Sequence, residues 1–87
     1  MTEDLKSIIE SLLFVADGPL GIDRIRKAVP HAGAREIRQA IDRLCEDYEN
    51  RKGGFTLKEV AGGFQFRTRP EYREWITRLI QPNPARL

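Results

Sequence analysis

Apolar residues along this 87-residue chain follow two different periods, and the change of period divides it into elements. Leu5, Ile8, Ile9, Leu12, Leu13 and Ala16 recur at steps of three and four, which lines them along one face of a helix. Thr2 is its expected N-cap, Glu3 and Asp4 suit the positive end of the helix dipole, and Gly18-Pro19 stops it. A shorter helix is predicted from Ile22 to Val29, with Gly21 a tolerable but weak cap and Pro30 the stop. After the turn Pro30-His31-Ala32-Gly33, the residues Ala34, Ile37, Ile41, Leu44, Cys45 and Tyr48 share one face of a third helix that should reach about Glu49.

Beyond Arg51-Lys52-Gly53-Gly54 the period drops to two. Phe55, Leu57 and Glu59 alternate with Thr56, Lys58 and Val60; past Ala61-Gly62-Gly63, Phe64, Phe66 and Thr68 alternate with Gln65 and Arg67. This predicts a β-hairpin, with Gly62 and Gly63 supplying the positive φ angles of a tight reversal. Pro70 then opens a fourth helix, capped by Thr68 or Arg69 and running through Tyr72, Trp75, Ile76, Leu79 and Ile80 until Pro82 and Pro84 end it. The order α-α-α-β-β-α is that of an α+β winged helix, in which the second and third helices form a helix-turn-helix and the hairpin is the wing. Residues 1–80 make one domain, and 81–87 read as the start of a linker in a longer chain.

Composition narrows the chemistry. With 40% hydrophobic and 32% charged residues the chain should fold, because disorder needs lower hydrophobicity and a larger net charge. No apolar run approaches the length of a membrane span and the start Met1-Thr2-Glu3-Asp4 is acidic where a signal peptide is basic, so a cytoplasmic location and no membrane partner are expected. The single cysteine, Cys45, leaves no intramolecular disulfide and no cysteine-type zinc site; it should be reduced and buried. His31 lies alone in a turn, without a nucleophile or a second imidazole, and the glycine pairs lack the Gly-Lys-Ser/Thr ending of a phosphate loop. Neither an enzyme, a metal site, a cofactor nor a small-molecule substrate is expected.

Charge leaves two kinds of partner open. The net charge of +2 and a pI near 9 permit nucleic acid, and residues 67–87 carry five arginines against Glu71 and Glu74. In a DNA-reading helix-turn-helix the third helix enters the major groove, yet here three arginines share residues 34–49 with the five carboxylates of Glu36, Asp42, Glu46, Asp47 and Glu49. Phosphates repel such a surface, and pairs such as Arg38 with Asp42 suit a solvated face. The DNA-binding domain of a transcriptional regulator, the alternative function, would use Arg35, Arg38, Lys58 and Arg67. From Phe64 to Trp75 aromatics interleave with arginines, a composition of protein interfaces and of nucleic-acid surfaces; the same aromatics could instead close the core between wing and last helix.

Three stretches go beyond periodicity: Ile8-Ile9-Glu10-Ser11-Leu12-Leu13-Phe14-Val15-Ala16-Asp17-Gly18-Pro19-Leu20, Glu59-Val60-Ala61-Gly62-Gly63-Phe64-Gln65-Phe66-Arg67-Thr68-Arg69-Pro70-Glu71-Tyr72, and Pro82-Asn83-Pro84-Ala85-Arg86-Leu87. In that order they resemble the segregation and condensation protein B (ScpB) family, with a departure at Gly21, where a better cap such as serine is expected. The resemblance implies a bacterial, nucleoid-associated protein of two winged-helix domains, of which this would be the first, with 81–87 leading to the second. It implies a homodimer that binds the kleisin, segregation and condensation protein A, and through it the structural-maintenance-of-chromosomes (SMC) ATPase. Such a condensin subunit acts in chromosome condensation and segregation without chemistry of its own, meeting DNA indirectly or weakly. Within that frame Phe64, Arg67, Arg69, Tyr72 and Trp75 are the expected protein-binding patch, aromatic anchors ringed by arginines.

Overall fold

A computed structural model of the chain describes residues 2–81. The elements are α1 (Thr2–Val15), α2 (Ile22–Ala28), α3 (Ala34–Arg51), β1 (Phe55–Val60), β2 (Gly63–Thr68), a 3₁₀ turn (Pro70–Tyr72) and α4 (Arg73–Ile80). Thr2 is the first residue of α1 and not the cap before it. Pro82, Pro84 and most of the expected linker at 81–87 lie outside the described residues.

The centre of the core is set by α3, whose Ile37, Ala40, Ile41, Leu44 and Tyr48 recur at helical spacing and are all buried. Leu5, Ile9 and Leu13 of α1 and Ile25 and Val29 of the second helical segment close on them. Ile9, Ile25, Ile37 and Ile41 have no exposed surface, and burying each contributes about 1.5–3 kcal/mol. The start of α3 is secured without a side-chain cap on Gly33: the Gly33 N–H donates to Glu36 Oε1 at 3.0 Å. Two polar ties join α1 to α3, an ion pair of Lys6 with Asp47 and a hydrogen bond donated by the Tyr48 hydroxyl to Glu10.

Both strands pair antiparallel, in a register running from Phe55 opposite Thr68 to Val60 opposite Gly63. That register leaves Ala61 and Gly62 as the turn, at φ 49° and 78°. Two positive φ angles in succession match the twist of a two-residue hairpin. Gly63 was expected to share this role, but it is the first residue of β2 and serves a different need. A Cβ there would lie 2.9 Å from both the backbone N and C of Leu20. The approach is that close because Leu20 and Phe64 exchange both backbone hydrogen bonds at 2.9 Å, adding a one-residue third strand to the wing. Gly21, where serine was expected, has a related reason: a Cβ would meet the Gly62 carbonyl oxygen at 3.3 Å.

The base of the wing is held to the end of α3 by aromatic packing. The Tyr48 ring lies 5.0 Å from Phe66 and 5.6 Å from Phe55, centroid to centroid, and Phe55 and Phe66 meet edge-on at 5.4 Å. Three helices, a hairpin with a short third strand, and a last helix make the α+β winged helix expected from the periods.

Candidate docking surface

In α4 the helical stripe of the sequence is present, but none of its residues is buried. Trp75 is 58% exposed, Leu79 83% and Ile80 73%, while Ile76 is half-buried toward the wing. The core is closed without these residues, and among the described residues nothing covers this apolar helix face, as is usual for interaction surfaces. The Arg78 guanidinium lies 4.9 Å from the Trp75 ring centroid and donates to Glu74 Oε2 at 2.8 Å, so the face is bordered by both charge signs. Phe14 and Val15 at the end of α1 form a second exposed apolar site, 79% and 71% accessible.

The five residues expected to form one patch fall into two groups. Arg67, Tyr72 and Trp75 are exposed. Phe64 is only 4% exposed, because its pairing with Leu20 turns the ring into the core, so it cannot be an exposed anchor. Arg69 turns inward as well: its Nη2 donates to the carbonyls of Tyr48 at 2.9 Å and Glu49 at 3.2 Å, capping α3, and Nη1 lies 3.9 Å from Glu49 Oε2. Leu79, Ile80, Phe14 and Val15 are further exposed apolar residues that the expected patch did not include. For Phe14 and Val15 the sequence held a signal, since they fall outside the buried stripe of α1, and an apolar residue off its stripe faces something other than its own core.

Of the residues that would have met DNA, Arg35 is exposed on α3, and Lys58 and Arg67 are exposed on the wing. Arg38 is engaged: it lies 3.6 Å from Asp42, 3.4 Å from Glu59 of the wing and 5.3 Å from the centroid of Phe64. Cys45 is half-buried; burial and then the Asp42 carboxylate raise its thiol above the ordinary cysteine range, which keeps it protonated. Among the described residues no helix is long and apolar enough to cross a membrane, and no three His, Cys, Asp or Glu side chains converge as metal ligands.

This fold has counterparts in known proteins. The family model for the segregation and condensation complex subunit ScpB matches residues 7–87. The chain belongs to this family. Segregation and condensation protein B of Syntrophotalea carbinolica is 42% identical over 86 residues, spanning 99% of this chain and 43% of that one. The chain thus spans less than half the length of this curated relative. An ScpB N-terminal domain, crystallised as a dimer complexed with ScpA peptide, superposes with a TM-score of 0.77 at 29% identity, over 90% of this chain and 96% of that one. ScpB from Mycobacterium tuberculosis shares the fold, with a TM-score of 0.83 at 21% identity over 92% of this chain and 49% of that one.

Proposed function

We propose that the chain is the N-terminal docking domain of an ScpB subunit in a bacterial SMC–kleisin condensin complex. It pairs with a second copy and helps to hold the kleisin, in the cytoplasm at the nucleoid, and catalyses no reaction. The observation that carries this is the exposed face of Trp75, Leu79 and Ile80 on a domain whose core is already closed. The related N-terminal domain that crystallised as a dimer with ScpA peptide supports it, since this chain covers 96% of that one. The side chains assigned to docking are Tyr72, Trp75, Leu79 and Ile80; Arg67 is exposed on the wing outside this face, and Phe64 and Arg69 are reassigned to the fold. Direct reading of DNA finds less support, because α3 presents carboxylates and its central arginine is held by Asp42 and Glu59.

One short helix on each side buries roughly 1,000 Å² in total, at the low end of specific interfaces. Self-association of the chain alone should therefore be weak and concentration-dependent in sedimentation equilibrium. Leu79→Arg should abolish it and reduce the heat of titration with the kleisin subunit of the same organism, while circular dichroism stays unchanged. A chain that stays monomeric and gives no heat with the kleisin would leave family membership intact and remove the docking role from this domain.

A further inference from the structure

Between the outer face of the wing and α4 lies an open cleft of about 460 Å³, whose lining includes Ile76 of α4 but neither Trp75 nor Leu79. Lys58, Arg67 and Arg73 line it, with Val60 and Ile76, both half-buried, as its apolar floor. The hairpin register brings the cations together. Lys58 stands opposite Gln65 and Arg67 opposite Thr56, so the two basic side chains are diagonal neighbours on one face of the sheet, while Arg73 reaches the cleft from the first turn of α4. Among the described residues none of the three makes an ion pair. The one carboxylate in the lining, Glu59, is engaged by Arg38 at 3.4 Å. The cleft therefore has three uncompensated positive charges around a floor that water hydrates poorly.

We propose that this cleft binds an acidic peptide segment, seating an apolar side chain on Val60 and Ile76 between carboxylates that meet Lys58, Arg67 and Arg73. Charge complementarity identifies the sign of the partner. The floor identifies its kind: a peptide can alternate carboxylate and apolar side chains, whereas a duplex presents two phosphate rails with nothing to place on Ile76. The carboxylates of α3 also repel a polyanion much longer than the cleft. Neither self-association nor the outer face of α4 is required.

The test is fluorescence anisotropy with a short labelled peptide of alternating glutamate and leucine, titrated with the whole chain at physiological salt. Binding is expected, and Arg67→Glu combined with Arg73→Glu should weaken it by about tenfold or more. Arg26→Glu on α2, away from the cleft, should leave the affinity within about twofold. Circular dichroism of each variant separates lost binding from lost fold. Leu79→Ser, which removes the apolar contact without adding charge, should weaken pairing and leave peptide affinity within about twofold, so a failure of pairing and a failure of the cleft read out separately. The proposal is overturned if the glutamate–leucine peptide does not bind, if a lysine–leucine peptide or an all-glutamate peptide binds equally well, if a random DNA duplex displaces the peptide at lower concentration, or if Arg26→Glu costs as much as the double variant.

Discussion

Ala61 sits at the tip of the wing with φ 49°, where a Cβ costs about 1–2 kcal/mol. Ala61→Gly relieves that strain and adds freedom to the unfolded chain, so a net gain of about 0.5–1 kcal/mol is expected in urea unfolding. Two positions on, the same exchange in reverse should be harmful. Gly63→Ala drives a Cβ to 2.9 Å from backbone atoms of Leu20 that cannot rotate aside, at a cost of about 1–3 kcal/mol. These two outcomes separate roles that look alike in the sequence, where Ala61-Gly62-Gly63 announces a turn but cannot say which residue bends and which only makes room. The second role depends on a strand contact with Leu20, distant along the chain. Tyr48 offers a pH test. Its hydrogen bond to the Glu10 carboxylate, and then its burial, hold the phenol above the usual tyrosine range. A pKa raised on folding means that the folded state holds the proton more tightly. The stabilisation is fully present below the unfolded value of about 10 and is lost as pH rises through the folded one. Tyr48→Phe should cost about 1 kcal/mol at neutral pH and flatten this alkaline loss, as read from melting temperature against pH.

The last turn of α3 is stabilised from outside the helix. Its final carbonyls have no partners within the helix, and the Arg69 guanidinium takes two of them while closing the wing against α3. Arg69→Ala should cost about 1.5–3 kcal/mol and speed amide exchange in the last turn of α3 and the first residues of β1; Arg69→Lys should recover only part. If exchange accelerates uniformly instead, Arg69 supports the whole domain and not this junction. At this scale the sequence was informative about the elements themselves. The periods of three-to-four and two located all four helices and both strands to within about two or three residues, because a helix or strand facing one core must repeat its apolar residues at that period. They could not place Arg69, whose contacts join residues about twenty positions apart. Nor could they tell what meets the stripe of α4, since an apolar stripe fixes a direction and not an occupant.

For the whole molecule, a net charge of +2 says less than its distribution. The acidic and engaged surface of α3 and the basic cleft of the wing lie on one small domain, so phosphate attracted by one is opposed by the other. The sequence already held both halves of this, in the charge balance of residues 34–49 and of 67–87, but not the pairing of Arg38 with Glu59 that withdraws one cation from the helix a DNA reader would use. Binding to a labelled random-sequence duplex should therefore be measurable at most at low salt and negligible at physiological salt. The salt dependence makes the test quantitative. Each phosphate neutralised contributes about 0.9 to the slope of log K against log salt, so contacts from Lys58, Arg67 and Arg73 alone give a slope of magnitude below about 3. Arg67→Glu should reduce it by about one, and Arg35→Glu should not change it. A slope well beyond three, or one that falls with Arg35→Glu, would mean that α3 enters the groove despite its carboxylates, and a DNA-reading role would then replace docking as the function of this domain.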